Sequence, residues 1–243
     1  MKTRRWPAFT VALVGADGAG KTTMARRLES DGYLPLKYLY MGVSRQSSNR
    51  MLPTTWLIWR LKRLFGRARE EGGPPNPSRK RSSAKGSRKR ILSHVKEGMY
   101  LANLLAEEWF RQLVTSYYQL RGYIVLFDRH FFLDYYAHDI APQNDSRSLY
   151  RRVHGFLLER VFPRPGLVIL LDAPADVLFA RKPEGTVELI ERRRQEYWRL
   201  KDKVPHFFVV DATQPQDDVA ETIISCIRTY QQSAAPGEIV VER

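Results

Sequence analysis

The stretch from Gly15 to Thr22 has the residue types and the spacing of a phosphate-binding loop. It reads GADGAGKT, the complete pattern GxxxxGK[ST], and lies between a strand-like run and a helix-like run. Glycine permits positive φ angles and close backbone approach, so successive N–H groups can point at one anion. We expect a nucleoside triphosphate here, with Lys21 on its outer phosphates and the Thr22 hydroxyl on Mg²⁺. The predicted nucleotide-binding residues are Gly15, Ala16, Asp17, Gly18, Ala19, Gly20, Lys21, Thr22 and Thr23.

The dipeptide Asp128-Arg129 ends another apolar run and is the second candidate for chemistry. In a doubly wound sheet, the carboxyl ends of the strands line the ligand crevice. An acid at that place can hold Mg²⁺ through water, and an arginine can donate two N–H groups to a phosphate. We therefore predict Thr22 and Asp128 as the metal residues. Asp172 is a second candidate, but the sequence Leu-Asp-Ala-Pro suits a turn equally well.

Four arginines lie near a short break in the stretch from Asp172 to Leu200. Two helical runs flank the sequence Lys-Pro-Glu-Gly that begins at Lys182, and the arginines are Arg181, Arg192, Arg193 and Arg194. Phosphoryl transfer requires positive charge on the transferred group and exclusion of water, so a mobile hairpin with cationic tips would suit it. We predict that residues 181–197 form such a lid. The alternative is a pair of basic helices that are simply solvated.

The elements that would position these groups alternate between short apolar strands and helices. The predicted strands are Ala8–Val14, Lys37–Tyr40, Tyr123–Asp128, Gly166–Asp172 and Phe207–Asp211, and the predicted helices include 21–30, 93–120 and 217–231. In the long helix the apolar residues recur with helical spacing, and we expect them to face the core: Val95, Met99, Ala102, Ala106, Trp109, Leu113, Tyr117 and Leu120. The alternation predicts an α/β fold, a doubly wound parallel five-stranded sheet with helices on both faces.

Length, charge and cysteine content limit the class of protein. With 243 residues, we expect one domain over residues 1–243. One cysteine, no apolar run long enough for a bilayer and no signal-peptide pattern favour a cytoplasmic protein. Of the net charge of +14, most comes from 12 Lys and Arg against 2 Asp and Glu between Arg60 and Arg90. Since residues 66–91 are rich in Pro, Gly and Ser, we predict a disordered basic insertion there.

The segment from Thr54 to Phe65, which precedes the insertion, contains two tryptophans, aliphatic residues and interleaved basic residues. A helix of this composition packs on the core or contacts a membrane surface with anionic headgroups. We expect core packing and keep contact with a membrane surface as a minor hypothesis.

The chain resembles thymidylate kinases and the wider group of nucleoside and nucleotide kinases. The resemblance rests on Asp17-Gly18 before GKT, on LRGYIVLFDRH, on LDAPADVLFAR and on VVDAT, in the order of that family. It implies that ATP and Mg²⁺ are cofactors and that Asp128 orders the water shell of the metal. It also implies that Arg129 binds the acceptor end, that Asp17 faces the acceptor's sugar, and that lid arginines steady the transferred phosphoryl group. The catalytic residues predicted in this way are Lys21, Asp128, Arg129, Arg181 and Arg192.

The acceptor pocket is where the chain departs from that family. After the second strand it reads Tyr-Met-Gly-Val-Ser-Arg in place of Arg-Glu-Pro-Gly-Gly-Thr, and an ungapped count puts Glu107 where relatives have an arginine. Some relatives also carry a cation at the position of Gly18, so the lid has to supply it here. The predicted substrate-binding residues are Asp17, Glu107, Arg111, Arg129, Asp134 and His138. Such a mixed-charge pocket would suit a nucleoside, a sugar or an amino alcohol.

Three functions remain open from the sequence. The first is an ATP-dependent kinase of a small acceptor, a nucleoside monophosphate or nucleoside before a non-nucleotide molecule. The second is a P-loop ATPase that binds nucleic acid through the basic insertion, although without aromatic residues to stack bases that contact would be non-specific. The third keeps the fold without catalysis. Relatives often pair through their long helices, so a homodimer is a further expectation.

Overall fold

The computed structural model of the protein describes residues 8–42, 49–50, 52, 60, 87–136 and 149–234. The predicted insertion at 66–91 lies outside this part of the chain except for its last residues, 87–91, which are helical. His138 also lies outside it, as does the segment from Thr54 to Phe65 apart from Arg60.

Five parallel strands form one sheet in the order β2-β3-β1-β4-β5. They are β1 (Thr10–Val14), β2 (Leu36–Tyr40), β3 (Ile124–Asp128), β4 (Leu167–Asp172) and β5 (Phe207–Asp211). Every side chain of β3 is buried, as expected for a strand covered on both faces. The fold class is confirmed: the protein is α/β, and helices cover both faces of the all-parallel sheet.

The register of the strands brings their carboxyl ends to one edge of the sheet. Leu13 of β1 lies opposite Asp128 of β3, and Asp172 of β4 lies opposite Asp211 of β5. Because β1 also pairs with β4, the loop that follows β1 begins between Asp128 and Asp172. This edge is where a doubly wound sheet holds its ligands.

The helices of the described chain are α1 (Lys21–Asp31), α2 (Ser87–Leu120), α3 (Phe131–Tyr135), α4 (Leu149–Arg160), α5 (Ala175–Arg181), α6 (Val187–Trp198) and α7 (Gln216–Ala234). The two helices predicted around the Lys-Pro-Glu-Gly break are confirmed as α5 and α6. Helix α2 begins six residues before the predicted start, and α3 and α4 were not predicted. No helix of the described chain is both long and apolar enough to cross a membrane.

The chain divides into two compact units. The first consists of Met1–Tyr38, Ser116–His130 and Pro165–Arg243, and it contains the phosphate loop and strands β1, β3, β4 and β5. The second consists of Leu39–Thr115 and Phe131–Arg164, and it contains α3, α4 and most of α2. The expectation of a single domain over 1–243 stays a prediction.

The prediction for the face of α2 that packs on the core was wrong. The apolar residues from Met99 to Leu120 that were expected inside are exposed, with Met99 at 69%, Leu113 at 67% and Leu120 at 89%. The buried side chains of the helix include the polar residues Glu107, Glu108, Arg111 and Thr115. Helical periodicity shows that one face is apolar, but it does not show whether that face meets the core of the same chain.

The exposed apolar face of α2 leads us to expect a homodimer. Met99, Ala102, Ala106, Trp109 and Leu113 follow one another in alternating steps of three and four residues, which is the spacing of two packed helices. Between Gly98 and Leu120 the charged residues of α2 are all buried, so a second copy of the same face would meet no like charge there. Exposed apolar side chains that are contiguous on one face are typical of a surface that contacts another protein.

We expect Leu113→Glu to prevent this homodimer, because it would bury a charge in the contact between the two helices. Analytical ultracentrifugation at micromolar concentration measures the change. The matched control is Tyr33→Glu, since Tyr33 is 69% exposed but lies outside α2, and this variant should remain dimeric. A monomeric wild type, or a dimer that survives Leu113→Glu, would contradict this expectation.

Candidate active site

The phosphate loop connects β1 to α1 and is packed tightly against its neighbours in the first unit. Gly18 has φ +88°, and a Cβ at this position would overlap the carbonyl oxygen of Leu178 in α5. The loop therefore lies directly against the backbone of α5. This packing gives a physical reason why residue 18 is a glycine.

Gly18→Ala should lower the free energy of unfolding by roughly 3 kcal/mol, because it combines a left-handed backbone with an overlap on Leu178. The matched control is Gly32→Ala at the end of α1, where φ is +70° but the space is open. That variant should lose only about 1 kcal/mol, the part due to the backbone. Chemical denaturation followed by circular dichroism measures both, and equal losses would show that the packing of Gly18 is unimportant.

Lys21, Thr22 and Asp128 lie together at the start of α1 and the end of β3. Lys21 is buried, and its Nζ donates a hydrogen bond to the carbonyl oxygen of Ala16 at 2.8 Å. The Thr22 hydroxyl donates to Oδ2 of Asp128, a fully buried carboxylate. The structure thus brings together the two residues predicted to hold the metal.

The residues around Asp128 fit Mg²⁺. Within the described chain, Oδ1 of Asp128 is buried and has no hydrogen-bond partner, although such an atom normally has one. The described residues contain no group of three or more His, Cys, Asp or Glu that could hold a metal. Mg²⁺ is commonly held by one or two carboxylates, with water and substrate phosphates as the remaining ligands. A hydroxyl and a carboxylate beside a phosphate loop satisfy that description.

Tyr38 of β2 is a second hydrogen-bond donor to Asp128. Its hydroxyl donates to Oδ2 at 3.4 Å, and the Arg26 guanidinium lies 5.8 Å from the centre of its ring. Burial, together with the neighbouring Asp128 carboxylate, raises the pKa of Tyr38. The phenol therefore stays protonated and remains a donor to Asp128.

Asp17 of the phosphate loop binds two arginines from different elements. Arg129, just after β3, donates to Oδ1, and Arg193 of α6 donates to Oδ2. Arg129 has φ +69°, the only positive φ among the non-glycine residues of the described chain, so its backbone adopts an uncommon conformation next to this contact. Burial alone would raise the pKa of Asp17, but Arg129, Lys21 and Arg193 outweigh it and lower the pKa to about 2.

Arg194, the next residue of α6, binds a different acid. Its Nε and Nη2 each donate to one oxygen of Asp172 at 2.8 Å, and the Trp198 indole donates to Oδ2 at 3.2 Å. Burial alone would raise the pKa of Asp172, but the hydrogen bonds from Arg194 and Trp198 hold it below its usual value. The carboxylate of Asp172 is thus occupied by side chains of α6, and Asp128 remains the better metal residue.

The two lid arginines predicted to be catalytic, Arg181 and Arg192, make other contacts. Arg181 donates to the carbonyl oxygen of Ala212 at 2.7 Å, just after β5. Arg192 is 61% exposed and pairs with Glu196 one turn further along α6. Their catalytic roles stay predictions. Of the three consecutive arginines of α6, Arg193 is the one that binds Asp17 of the phosphate loop, and the sequence contains no signal that would select it from the three.

The second unit contains three of the predicted substrate-binding residues. Glu107 accepts a hydrogen bond from the backbone N–H of Leu52 at 3.2 Å. Nη2 of Arg111 lies 3.8 Å from Oε2 of Glu107, and Nη1 donates to the carbonyl oxygen of Gly42 at 2.7 Å. Asp134 lies on α3 and is partly buried. The structure brings Glu107 and Arg111 together, and the roles of all three in binding an acceptor stay predictions.

A second polar pair in this unit, Glu108 and His154, was missed. From the sequence we selected Glu107 rather than Glu108 of α2, and we assigned no role to His154 of α4. Both are fully buried, and Nε2 of His154 lies 2.9 Å from Oε1 of Glu108. The ring of Tyr135 packs edge-on against His154, with centroids 4.8 Å apart. The two partners are 46 positions apart in the sequence, and nothing in it indicates this pair.

Comparison with known proteins gives one distant likeness. No protein family model matches the chain. The probable thymidylate kinase 1 of Saccharolobus solfataricus is 32% identical to it over 78 residues, which are 30% of this chain and 41% of that protein. The chain thus matches less than half the length of this curated relative. Together with the five-stranded parallel sheet, the likeness fits a P-loop kinase-like fold.

Proposed function

We propose that the protein is an ATP-dependent phosphotransferase that moves the γ-phosphoryl group to a small acceptor. The observation that carries the proposal is the pair formed by Thr22 and Asp128, with the buried Oδ1 of Asp128 beside a complete phosphate loop. The likeness to a protein named as a thymidylate kinase favours a nucleoside monophosphate or a nucleoside as the acceptor.

The residues of the first unit suit this chemistry because phosphoryl transfer depends on positioning and charge. Backbone N–H groups of the loop and the N-terminus of α1 would bind the phosphates, and Lys21 would neutralise the outer ones. Thr22 and Asp128 would hold Mg²⁺, which neutralises charge on the phosphates when it is bound. Arg129 and Arg193 would face the transferred group and the acceptor.

The identity of the acceptor is the more specific part of the proposal. Glu107, Arg111 and Asp134 offer both signs of charge, which suits a ligand with several hydrogen-bonding groups. A kinase of a sugar or an amino alcohol remains the first alternative, because the family's acceptor segment after β2 is replaced in this chain.

Two measurements test the proposal. Calorimetry with Mg·ATP and Mg·GTP should give binding heat for at least one, and the signal should disappear when the metal is chelated. A coupled assay of ATP consumption should then be run against nucleoside monophosphates, nucleosides, sugars and aminoglycoside-like alcohols. Stimulation by one class names the acceptor. If no purine triphosphate binds in the presence of Mg²⁺, the protein is not the kinase proposed here.

A nucleic-acid-dependent ATPase is a second candidate, favoured by the concentration of positive charge between Arg60 and Arg90. Deletion of residues 67–90 separates the two functions. A small-molecule kinase should keep its acceptor-stimulated turnover without this segment. A polymer-dependent ATPase should instead lose the stimulation by single-stranded DNA or RNA, and that stimulation should fall steeply with salt.

A further inference from the structure

Helix α6 is held against the carboxyl edge of the sheet by two neighbouring arginines. Arg193 binds Asp17 of the phosphate loop, and Arg194 binds Asp172 at the end of β4. The two acids belong to different elements, so the helix has two separate attachments. What differs between them is the number of arginines on each carboxylate, which is one on Asp172 and two on Asp17.

In the attachment through Arg194, groups of α6 donate hydrogen bonds to both oxygens of the Asp172 carboxylate. Its guanidinium engages both oxygens of Asp172 in the parallel arrangement that gives the strongest ion pairs, and it also donates to Glu191 at 2.6 Å. Trp198, one turn further on, donates to the same carboxylate. Helix α6 can therefore stay attached when its other contact is exchanged.

The attachment through Arg193 is of another kind. Asp17 gives one oxygen to Arg193 and the other to Arg129, so a single carboxylate satisfies two cations from separate elements. It does so in the middle of the GxxxxGK[ST] loop, where phosphate oxygens are expected. A phosphoryl group offers arginine the same paired oxygens as a carboxylate, with more negative charge.

We propose that the Asp17 carboxylate competes with phosphoryl groups for Arg129 and Arg193. It holds Arg129 and Arg193 until a phosphoryl group takes them, while Arg194 remains on Asp172 and keeps α6 in reach. The inference rests on the proposed function, since it assigns a regulation to the same site. Asp17 thereby sets how strongly the loop binds phosphates, and it keeps two arginines ordered over the loop in their absence.

Asp17→Asn tests the competition, with inorganic pyrophosphate as the probe in calorimetry. Removing the competing charge should tighten pyrophosphate binding about tenfold, which corresponds to about 1.4 kcal/mol. The matched control is Asp176→Asn, which removes the same charge from an exposed residue in the first turn of α5 and should change binding less than about twofold. A general rise in positive potential would affect both variants alike, whereas competition affects only Asp17→Asn.

Combining the substitution with Arg193→Ala shows whether the gain passes through this arginine. The double variant should lose most of the tenfold gain, and Arg193→Ala alone should weaken pyrophosphate binding. Arg199→Ala, an exposed arginine at the end of the same helix, serves as the control for Arg193→Ala. Thermal unfolding verifies that each variant is folded, and Asp17→Ser replaces Asp17→Asn if the latter is not.

Hydrogen exchange of α6 tests the fixed attachment without any nucleotide. Asp172→Asn should raise the exchange of the α6 amides, whereas saturating pyrophosphate should leave them protected in the wild type. The inference is overturned if Asp17→Asn binds pyrophosphate no better than the wild type, or if the gain persists without Arg193. If the wild type binds pyrophosphate and Asp17→Asn binds it more tightly, but no purine triphosphate binds, the proposed function alone is overturned.

Discussion

Lys21→Ala should lower acceptor-stimulated ATP turnover by about 10³-fold, the range found when one preorganised donor to a developing charge is removed. Lys21 is the cation of the phosphate loop, and its ammonium already lies within the loop, at 2.8 Å from the carbonyl oxygen of Ala16. Alanine would leave the backbone N–H groups in place but remove the charge that neutralises the outer phosphates. A coupled assay at saturating ATP measures the loss.

The fold should survive this substitution. The hydrogen bond that Lys21 makes to Ala16 is worth about 1 kcal/mol, which is small against the stability of a domain. Lys37→Ala is the matched control, because this lysine lies in β2 of the same unit and pairs with Glu29. It should keep full turnover. Full turnover in Lys21→Ala, with any acceptor, would be incompatible with the proposed chemistry.

Glu108→Leu should lower the free energy of unfolding by about 1–3 kcal/mol, the cost of leaving a buried polar group without its hydrogen-bond partner. Glu108 and His154 are completely buried, and they join α2 to α4 within the second unit. Leucine is similar in size, so most of the loss would come from the imidazole, which would lose its contact with the Glu108 carboxylate. Urea denaturation followed by circular dichroism gives the value.

The double variant Glu108→Leu, His154→Leu should recover much of this loss, since it removes the imidazole together with the carboxylate that it contacts. Glu159→Leu on the exposed side of α4 is the control and should change stability by less than about 0.5 kcal/mol. If the single variant is as stable as the wild type, the pair does not hold the two helices together. The same conclusion follows if the double variant is no more stable than the single one.

The face of α2 and the choice among the arginines show where sequence reasoning stopped. The periodicity of α2 correctly indicated a long helix with one apolar face, but that face is exposed and the buried face contains Glu107, Glu108 and Arg111. Likewise, the run from Arg192 to Arg194 indicated positive charge near the site. Its members lie about 100° apart around the helix, so only the packing of α6 decides which one reaches Asp17.

The sequence by itself determined the α/β class, the positions of the five strands and the location of the phosphate loop. These features depend on contiguous residues: a strand is defined by a short apolar run, and the loop by glycines and a lysine at set spacings. The tertiary structure alone decided that Arg193 and Arg129 share Asp17, that Arg194 occupies Asp172, and that Glu108 meets His154. Each of these contacts joins side chains from different elements, and local spacing contains no information about how separate elements pack.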